Sequence, residues 1–138
     1  MLDEPSGGFC EREHIADWEL EAWATDLSGL LEQAARGMYT LSGTRLAEYP
    51  RIDRSVEITA SDAESLLVKF LQELLYFGEK DGVGFDRFSI MVSELHLQAT
   101  LEGAAISSQD KEIKAVTYHK LQIRQTSNGL IVNIVFDV

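Results

Sequence analysis

Two segments with helical periodicity, separated by a short alternating segment, constrain the fold of this chain more than any other feature. Apolar residues recur every three or four positions over 27–41 and again over 66–75. Such stripes are typical of amphipathic helices that turn one face toward a core. Thr25 or Asp26 is a suitable cap for the first helix, and Gly43 is a suitable stop. The sequence therefore predicts two helices with a strand between them.

The boundaries of the second helix are predicted from two further signals. Ser61, Asp62, Ala63 and Glu64 have the pattern of a capping box, in which the serine and the glutamate satisfy free amides at a helix start. The helix is predicted to end near Gly78. Residues 78–84 are rich in glycine and charge, but they lack the Gly-Lys-Ser/Thr ending of a phosphate-binding loop. We interpret them as a loop that leads into a strand.

Strand patterns occupy most of the remaining chain. Asn128-Gly129 is a strong hairpin signal between the last two of these segments. The order is β-β-α-β-α-β-β-β-β, which predicts the α+β class, with two helices packed on a largely antiparallel sheet system. The strands are predicted over residues 9–15, 18–24, 56–60, 88–93, 95–102, 116–126 and 130–137.

The length of 138 residues predicts one folded domain over 9–138, preceded by a flexible N-terminus over 1–8. No run approaches the roughly 20 apolar residues of a membrane span, and the first residues lack the apolar core of a signal peptide. We therefore expect a cytoplasmic protein without membrane contact. The single cysteine, Cys10, excludes an internal disulfide and is interpreted as a half-buried strand residue.

The charge balance limits the kinds of partner. Twelve basic residues oppose 23 acidic ones, which gives a net charge of −11. Nucleic-acid affinity depends largely on Lys and Arg that displace counterions, so tight direct RNA binding is not expected. A basic protein partner or a bound cation suits this charge better. The acidic surface can also serve solubility alone.

Two pairs of residues could hold a cation. His14 and Asp17 lie three positions apart at a predicted bend, where they could converge on one site or where Asp17 could form a hydrogen-bonded turn. Asp137 and the backbone carboxylate of Val138 follow an apolar strand and offer adjacent oxygen donors. Hard cations such as Ca²⁺ and Mg²⁺ prefer such donors. A solvated strand end is the alternative for the second pair.

The segment from Glu112 to His119 combines an ammonium, a phenol and an imidazole. In a regular strand, His119 would share a face with Leu121 and Ile123, which favours a buried histidine over a ligand. No serine elbow and no His-Glu-x-x-His motif occurs, so spacing alone identifies no nucleophile and base.

Four segments together resemble the archease family. They are His14–Asp17, Leu66–Tyr76, Lys114–His119 and Phe136–Val138, and the resemblance extends over nearly the whole chain from residue 8 onward. It implies a non-enzymatic helper of the GTP-dependent RNA ligase that splices tRNA. Such a helper promotes the transfer of GMP to the ligase and allows the ligase to turn over repeatedly.

The resemblance also implies a metal site. The ligands would be Asp17, Asp137 and Val138, and the ion a divalent cation, calcium in preference to magnesium or manganese. His14, Lys114 and His119 would line this site or face the partner.

Two other classes of function remain open from the sequence. A stand-alone metal-dependent hydrolase or nucleotide-binding enzyme would need a base, a pocket and an open metal position. A general chaperone-like interaction protein would need none of these. Multiple turnover by the purified chain alone would favour the enzyme.

Overall fold

The computed structural model describes residues 6–12 and 18–138, and its elements confirm the α+β class and the predicted order. The helices are α1 (Leu27–Ser42) and α2 (Ala63–Asp81). The strands are β1 (Gly8–Arg12), β2 (Trp18–Ala24), β3 (Arg45–Leu46), β4 (Ile52–Thr59), β5 (Val83–Ser93), β6 (His96–Ser108), β7 (Ala115–Val116), β8 (Arg124–Thr126) and β9 (Gly129–Asp137). The short strand β3 was not predicted.

The described strands form two antiparallel sheets. The first has the order β1-β2-β9-β7, with β8 paired to another part of β9. In the second, β6 is paired with β3, β4 and β5. Successive side chains of a strand point to opposite faces of the sheet, and the burial of β2 follows this pattern. Leu20, Ala22 and Ala24 are buried, while the residues between them are half-buried.

The helices contribute the centre of the core. Leu30, Leu31 and Met38 of α1 pack in one cluster with Phe70 and Leu71 of α2, and all five are at most 1% exposed. The predicted stripes therefore face the interior. Apolar residues of both sheets complete the same cluster, which joins the two sheets through the helices.

The structure confirms the limits of α1. The Asp26 carboxylate accepts a hydrogen bond of 2.8 Å from the Gly29 amide, as expected of an N-cap. Gly43 ends the helix in the left-handed conformation, with φ of 65°.

The predicted N-cap of α2 is one residue too early, and its predicted end is a few residues too early. Asp62, not Ser61, is the N-cap, and its carboxylate accepts a 2.7 Å hydrogen bond from the Ser65 amide. The helix continues through Gly78 and ends at Gly82, whose φ of 66° allows the left-handed turn. A glycine inside a helix is tolerated at modest cost, so Gly78 alone was not a sufficient stop signal.

Because Asp62 is the N-cap of α2, its contribution to stability should depend on pH. Hydrogen bonding from Ser65 lowers the pKa of Asp62, so the charged carboxylate is favoured in the folded state. Its stabilising effect is present above the unfolded pKa of about 3.9 and is lost as pH falls through the lower folded value. We expect Asp62→Ala to lower the melting temperature at pH 7, and the difference from wild type to shrink below pH 4.

The matched control for this cap is Ser61→Ala. Its melting temperature should stay close to that of the wild type across the same pH range. Thermal melts followed by circular dichroism measure both variants, and equal losses for the two would contradict the assignment of Asp62 as the cap.

Candidate functional site

Three separate parts of the chain meet at one corner of the first sheet. Trp18, at the start of β2, is paired with Phe136 of β9, and Val116 of β7 is paired with the same Phe136 from the other side. Phe136 is completely buried. The start of β2, the segment around Lys114 and the end of the sequence therefore lie side by side.

The described oxygen donors of this corner lie at the end of β9. Asp137 is exposed, while its backbone carbonyl accepts a 2.8 Å hydrogen bond from the Lys114 amide. Val138 is half-buried and packs against the core, so the backbone is held in place up to the last residue of the sequence. The Asp137 carboxylate is thus presented to solvent from a fixed backbone.

Two lysines add positive charge beside these oxygens. The Lys114 side chain is exposed, and no ion pair or hydrogen bond of its ammonium group is found within residues 6–12 and 18–138. The Lys111 ammonium lies 5.5 Å from the ring centroid of Trp18, a cation–π contact. A carboxylate and a free ammonium therefore face solvent at one place, which suits the recognition of a charged group.

A cavity opens next to Lys114, between the two helices and residues 106–114. Its volume is about 340 Å³. Leu74, Leu75 and Ile113 provide apolar walls, and Glu79 and Glu112 lie at its margin together with Lys114. Lys114 therefore stands between this cavity and Asp137.

The segment after β7 differs from the single strand predicted for it. Residues 116–126 do not form one strand, because β7 ends at Val116 and β8 begins only at Arg124. His119 lies in a turn and is exposed, so its predicted burial in the core is wrong. Its neighbour Tyr118 is 56% exposed, and both side chains project from the surface.

Side chains of α2 bind the backbone near both ends of this segment. The Gln72 amide oxygen accepts a hydrogen bond from the Val116 backbone, and the Glu64 carboxylate accepts one from Ile123 at 2.9 Å. These backbone groups would otherwise need a neighbouring strand. The contact of Gln72 with this segment and the positions of Trp18 and Lys111 at the corner were not predicted from the sequence. No local pattern marks such long-range contacts.

The predicted residues His14 and Asp17 lie outside the described part of the chain. Within residues 6–12 and 18–138, no three His, Cys, Asp or Glu side chains are grouped to hold a metal ion. Asp137 and Val138 have the hard oxygen chemistry that Ca²⁺ prefers, but the ion takes about six to eight such ligands. The described donors fit a cation by type and form only part of a coordination shell.

Other features of the described chain agree with the sequence analysis. Cys10 is a half-buried residue of β1, as predicted. The Asn128-Gly129 signal marks a real hairpin, although the turn residues are Ser127 and Asn128 and Gly129 is already the first residue of β9. No described helix combines the length and the apolar character needed to cross a bilayer.

Comparison with known proteins places the chain among homologues of similar length. The model of the Archease protein family (MTH1598/TM1083) matches residues 9–138. Protein archease of Methanosarcina mazei is 32% identical over 135 residues, which cover 91% of this chain and 92% of that protein. Protein archease of Methanothermobacter thermautotrophicus is 32% identical over 139 residues, covering 95% and 99%.

Solved structures share the fold. The solution structure of protein 1598 from Methanobacterium thermoautotrophicum has a TM-score of 0.67 and 25% identity, and covers 96% of this chain and 99% of its own. The crystal structure of an archease from Thermotoga maritima, described as a possible chaperone, has a TM-score of 0.66 and 20% identity, with coverage of 100% and 98%. The family match, the relatives and the shared fold agree, and the chain belongs to the archease family.

Proposed function

We propose that this protein is a metal-binding accessory factor that activates a GTP-dependent tRNA-splicing RNA ligase. In this proposal it is not itself an enzyme. It promotes guanylylation of the ligase, the transfer of GMP onto the ligase, and so allows multiple turnover. Its partner is the ligase rather than RNA, since a net charge of −11 disfavours contact with phosphate backbones.

The pairing of Trp18 with Phe136 carries the proposal. These residues directly follow Asp17 and directly precede Asp137 in the chain. The described neighbours of two proposed ligands are therefore paired, although Asp17 and Asp137 are far apart in sequence. This register supports a common site for both carboxylates at the corner where Lys114 is also exposed.

In the proposed site, Asp17, Asp137 and Val138 hold a divalent cation, calcium in preference to magnesium or manganese. A bound divalent cation supplies positive charge that orients and neutralises phosphate oxygens. The residues of this chain have a different task, which is to present that charge on a rigid surface. The buried Phe136 and the half-buried Val138 fix the backbone on both sides of Asp137.

A guanylylation assay tests the function directly. GTP and the ligase are incubated with a substoichiometric amount of this protein, and covalent ligase–GMP is measured together with ligated RNA. We expect faster ligase–GMP formation and many ligations per ligase. No stimulation would contradict the proposal. Nucleotide hydrolysis by this protein alone would support the enzyme class instead, and equal protection of unrelated proteins would support a general chaperone.

The Lys114→Ala variant should separate partner contact from metal binding. Lys114 is exposed with an unpaired ammonium, as far as residues 6–12 and 18–138 show, and an ammonium group can attract a phosphate or a carboxylate. We expect stimulation of guanylylation to fall by roughly tenfold, the lower end for a hydrogen bond to a charged group, while calcium affinity remains unchanged.

The matched control for Lys114 is Lys80→Ala. Lys80 is an exposed lysine in the last turn of α2, and its ammonium lies 5.5 Å from the Tyr76 ring centroid. This variant should stimulate the ligase like the wild type. Calcium titration calorimetry is run on both variants. Loss of calcium affinity in Lys114→Ala would refute the proposed division of roles.

A further inference from the structure

Strand β4 has a free edge beside helix α2. Across the described part of the chain, its only strand neighbour is β6. Lys69 of α2 reaches Thr59 at one end of β4, and Arg54 forms an ion pair with Asp81 toward the other end of the helix. The helix therefore runs antiparallel to β4, and because it also packs against β5 on the far side of β6, it covers the buried face of the sheet and leaves the edge of β4 open.

The backbone register shows which groups face that edge. The Ala60 amide donates to the Leu95 carbonyl at 3.1 Å, and pairing continues without a bulge to Ile52. In an antiparallel pair, residues that bond to the neighbour alternate with residues that face away. The amides and carbonyls of Asp53, Ser55 and Glu57 therefore point to the free edge.

Lys69 independently supports this assignment. Its ammonium donates a 3.0 Å hydrogen bond to the Thr59 carbonyl, which lies on the same side of the strand by the same alternation. The Asp53 carbonyl accepts a 2.9 Å hydrogen bond from the Arg54 side chain, whereas the edge amides and carbonyls of Ser55 and Glu57 have no backbone partner in the described structure. An eight-residue strand with such an edge can accept a further strand.

A groove between residues 57–59 of β4 and helix α2 provides room for one end of that strand. Its volume is about 460 Å³, and its lining residues come from one short stretch of β4 and one face of α2. The half-buried Ile58 and the buried Val68 form an apolar floor, and Glu73 and Gln72 belong to the helix side.

The charged side chains of β4 determine which kind of partner strand can bind at its edge. The side chains of Asp53, Ser55 and Glu57 are exposed on the sheet face opposite to the buried Val56. The Glu57 carboxylate lies 2.8 Å from the His96 imidazole and accepts a 3.2 Å hydrogen bond from the Gln98 amide, and its other oxygen remains open to a partner. An added strand would place alternate side chains beside these two carboxylates, where opposite charges stabilise and like charges destabilise. Its remaining side chains would face the apolar floor. The matching sequence alternates basic and apolar residues.

The β4 edge of a second copy of this chain does not offer the basic residues that a binding strand needs. Pairing of two β4 edges centred on Ser55 would set Asp53 of each copy against Glu57 of the other. Both copies also carry a net charge of −11. Like charges directly opposite in a sheet are unfavourable, so self-pairing is disfavoured.

We propose that the β4–α2 groove binds an extended segment of a protein partner with alternating basic and apolar residues, which adds to β4 as an antiparallel or parallel strand. The interaction goes beyond the proposed metal site and does not depend on it. Main-chain hydrogen bonds to Ser55 and Glu57 supply affinity, and the two carboxylates select a basic sequence.

A titration of the full chain with a blocked peptide Lys-Val-Lys-Val-Lys, followed by NMR, tests the inference. We expect the amide signals of Ser55 and Glu57 to shift and their hydrogen exchange to slow. The peptide Glu-Val-Glu-Val-Glu should bind at least tenfold more weakly, as several like-charge pairs would require. A basic peptide methylated at its backbone nitrogens should lose binding, because its donors are blocked.

Two variants at one position provide the matched comparison. Ser55→Pro removes an edge amide without breaking the ladder to β6, and edge strands tolerate proline at such positions. It should weaken binding of the basic peptide roughly fivefold, the factor for one hydrogen bond. Ser55→Val retains the amide and should change affinity by less than about twofold. Circular dichroism confirms that both variants fold.

A charge-reversing substitution in β4 should reverse the preference for basic over acidic peptides. Asp53→Lys should weaken the basic peptide and strengthen the acidic one. The inference is overturned if both peptides bind equally, if the shifted amides lie outside β4 and α2, or if the chain pairs with itself through β4 in sedimentation experiments.

Discussion

Asp17→Ala is expected to reduce the stimulated rate of ligase guanylylation to the rate of the ligase alone. In the proposed site this substitution removes one of the two side-chain carboxylates, and cation affinity in proteins depends strongly on the number of ligand charges. We expect calcium affinity to fall by about an order of magnitude or more. Asp137→Ala should have the same effect, because both carboxylates hold the same ion. Ligase–GMP formation and calcium titration calorimetry measure the two consequences separately.

The fold should survive both changes, and the experiment depends on that. Asp137 is exposed at the end of β9, and its side chain has no hydrogen-bond or ion-pair partner in the described structure. Glu48→Ala, another exposed acidic position, is the matched control for the lost negative charge. A folded Asp17→Ala protein that stimulates guanylylation like the wild type would show that the metal-site mechanism is wrong, even though family membership stands.

Gly103→Ala is expected to have the largest effect on stability. A Cβ atom at Gly103 would lie 1.8 Å from the Gly84 carbonyl oxygen and 2.7 Å from the Phe85 Cα. Both atoms belong to the backbone of β5, where the pairing with β6 is irregular between Phe85 and Arg87. A methyl group can fit only if the two strands separate. We expect a loss of about 3 kcal/mol in the free energy of unfolding, measured by urea denaturation.

Gly78→Ala provides the opposite control. Gly78 lies inside α2, and an added Cβ would meet Ile106 at 3.6 Å and the Val83 carbonyl at 3.7 Å, which are ordinary contacts. Alanine is the better helix former, so this variant should gain about 0.5–1 kcal/mol. If both alanine variants change stability equally, the close approach of β5 and β6 at Gly103 is not the cause.

Local periodicity was sufficient to predict the class, the order of elements and the buried faces. It failed where a distant residue decides the structure. Alternation over 116–126 suggested one strand, but the pairing with β9 ends near Thr117, and the Glu64 side chain of α2 accepts the Ile123 amide that a neighbouring strand would otherwise bind. Gly78 was predicted to end α2 because glycine often follows the last turn of a helix. The left-handed residue that ends the helix is Gly82.

The candidate site was predictable in part. For the N-terminal and C-terminal segments of the proposed site to converge, the last strand had to pair near the first ones. Strand β9 does pair with β2, and Trp18 lies opposite Phe136. The common site of Asp17 and Asp137 stays a prediction. The apparent core position of His119 was inferred from a strand that the segment does not form, and the exposed turn follows from the same contacts to α2.

The side-chain contacts from α2 also set how residues 117–123 can move. Most strands in the two sheets are held by ladders of many backbone bonds, whereas Gln72 and Glu64 bind Val116 and Ile123 near the two ends of this segment. Breaking a few hydrogen bonds costs far less than opening a ladder. The exposed turn that carries Tyr118 and His119 lies between Thr117, which bonds to Val135, and Leu121, which packs against the core, so it can rearrange while both sheets stay intact. Adaptation to a second protein can take place there without global unfolding.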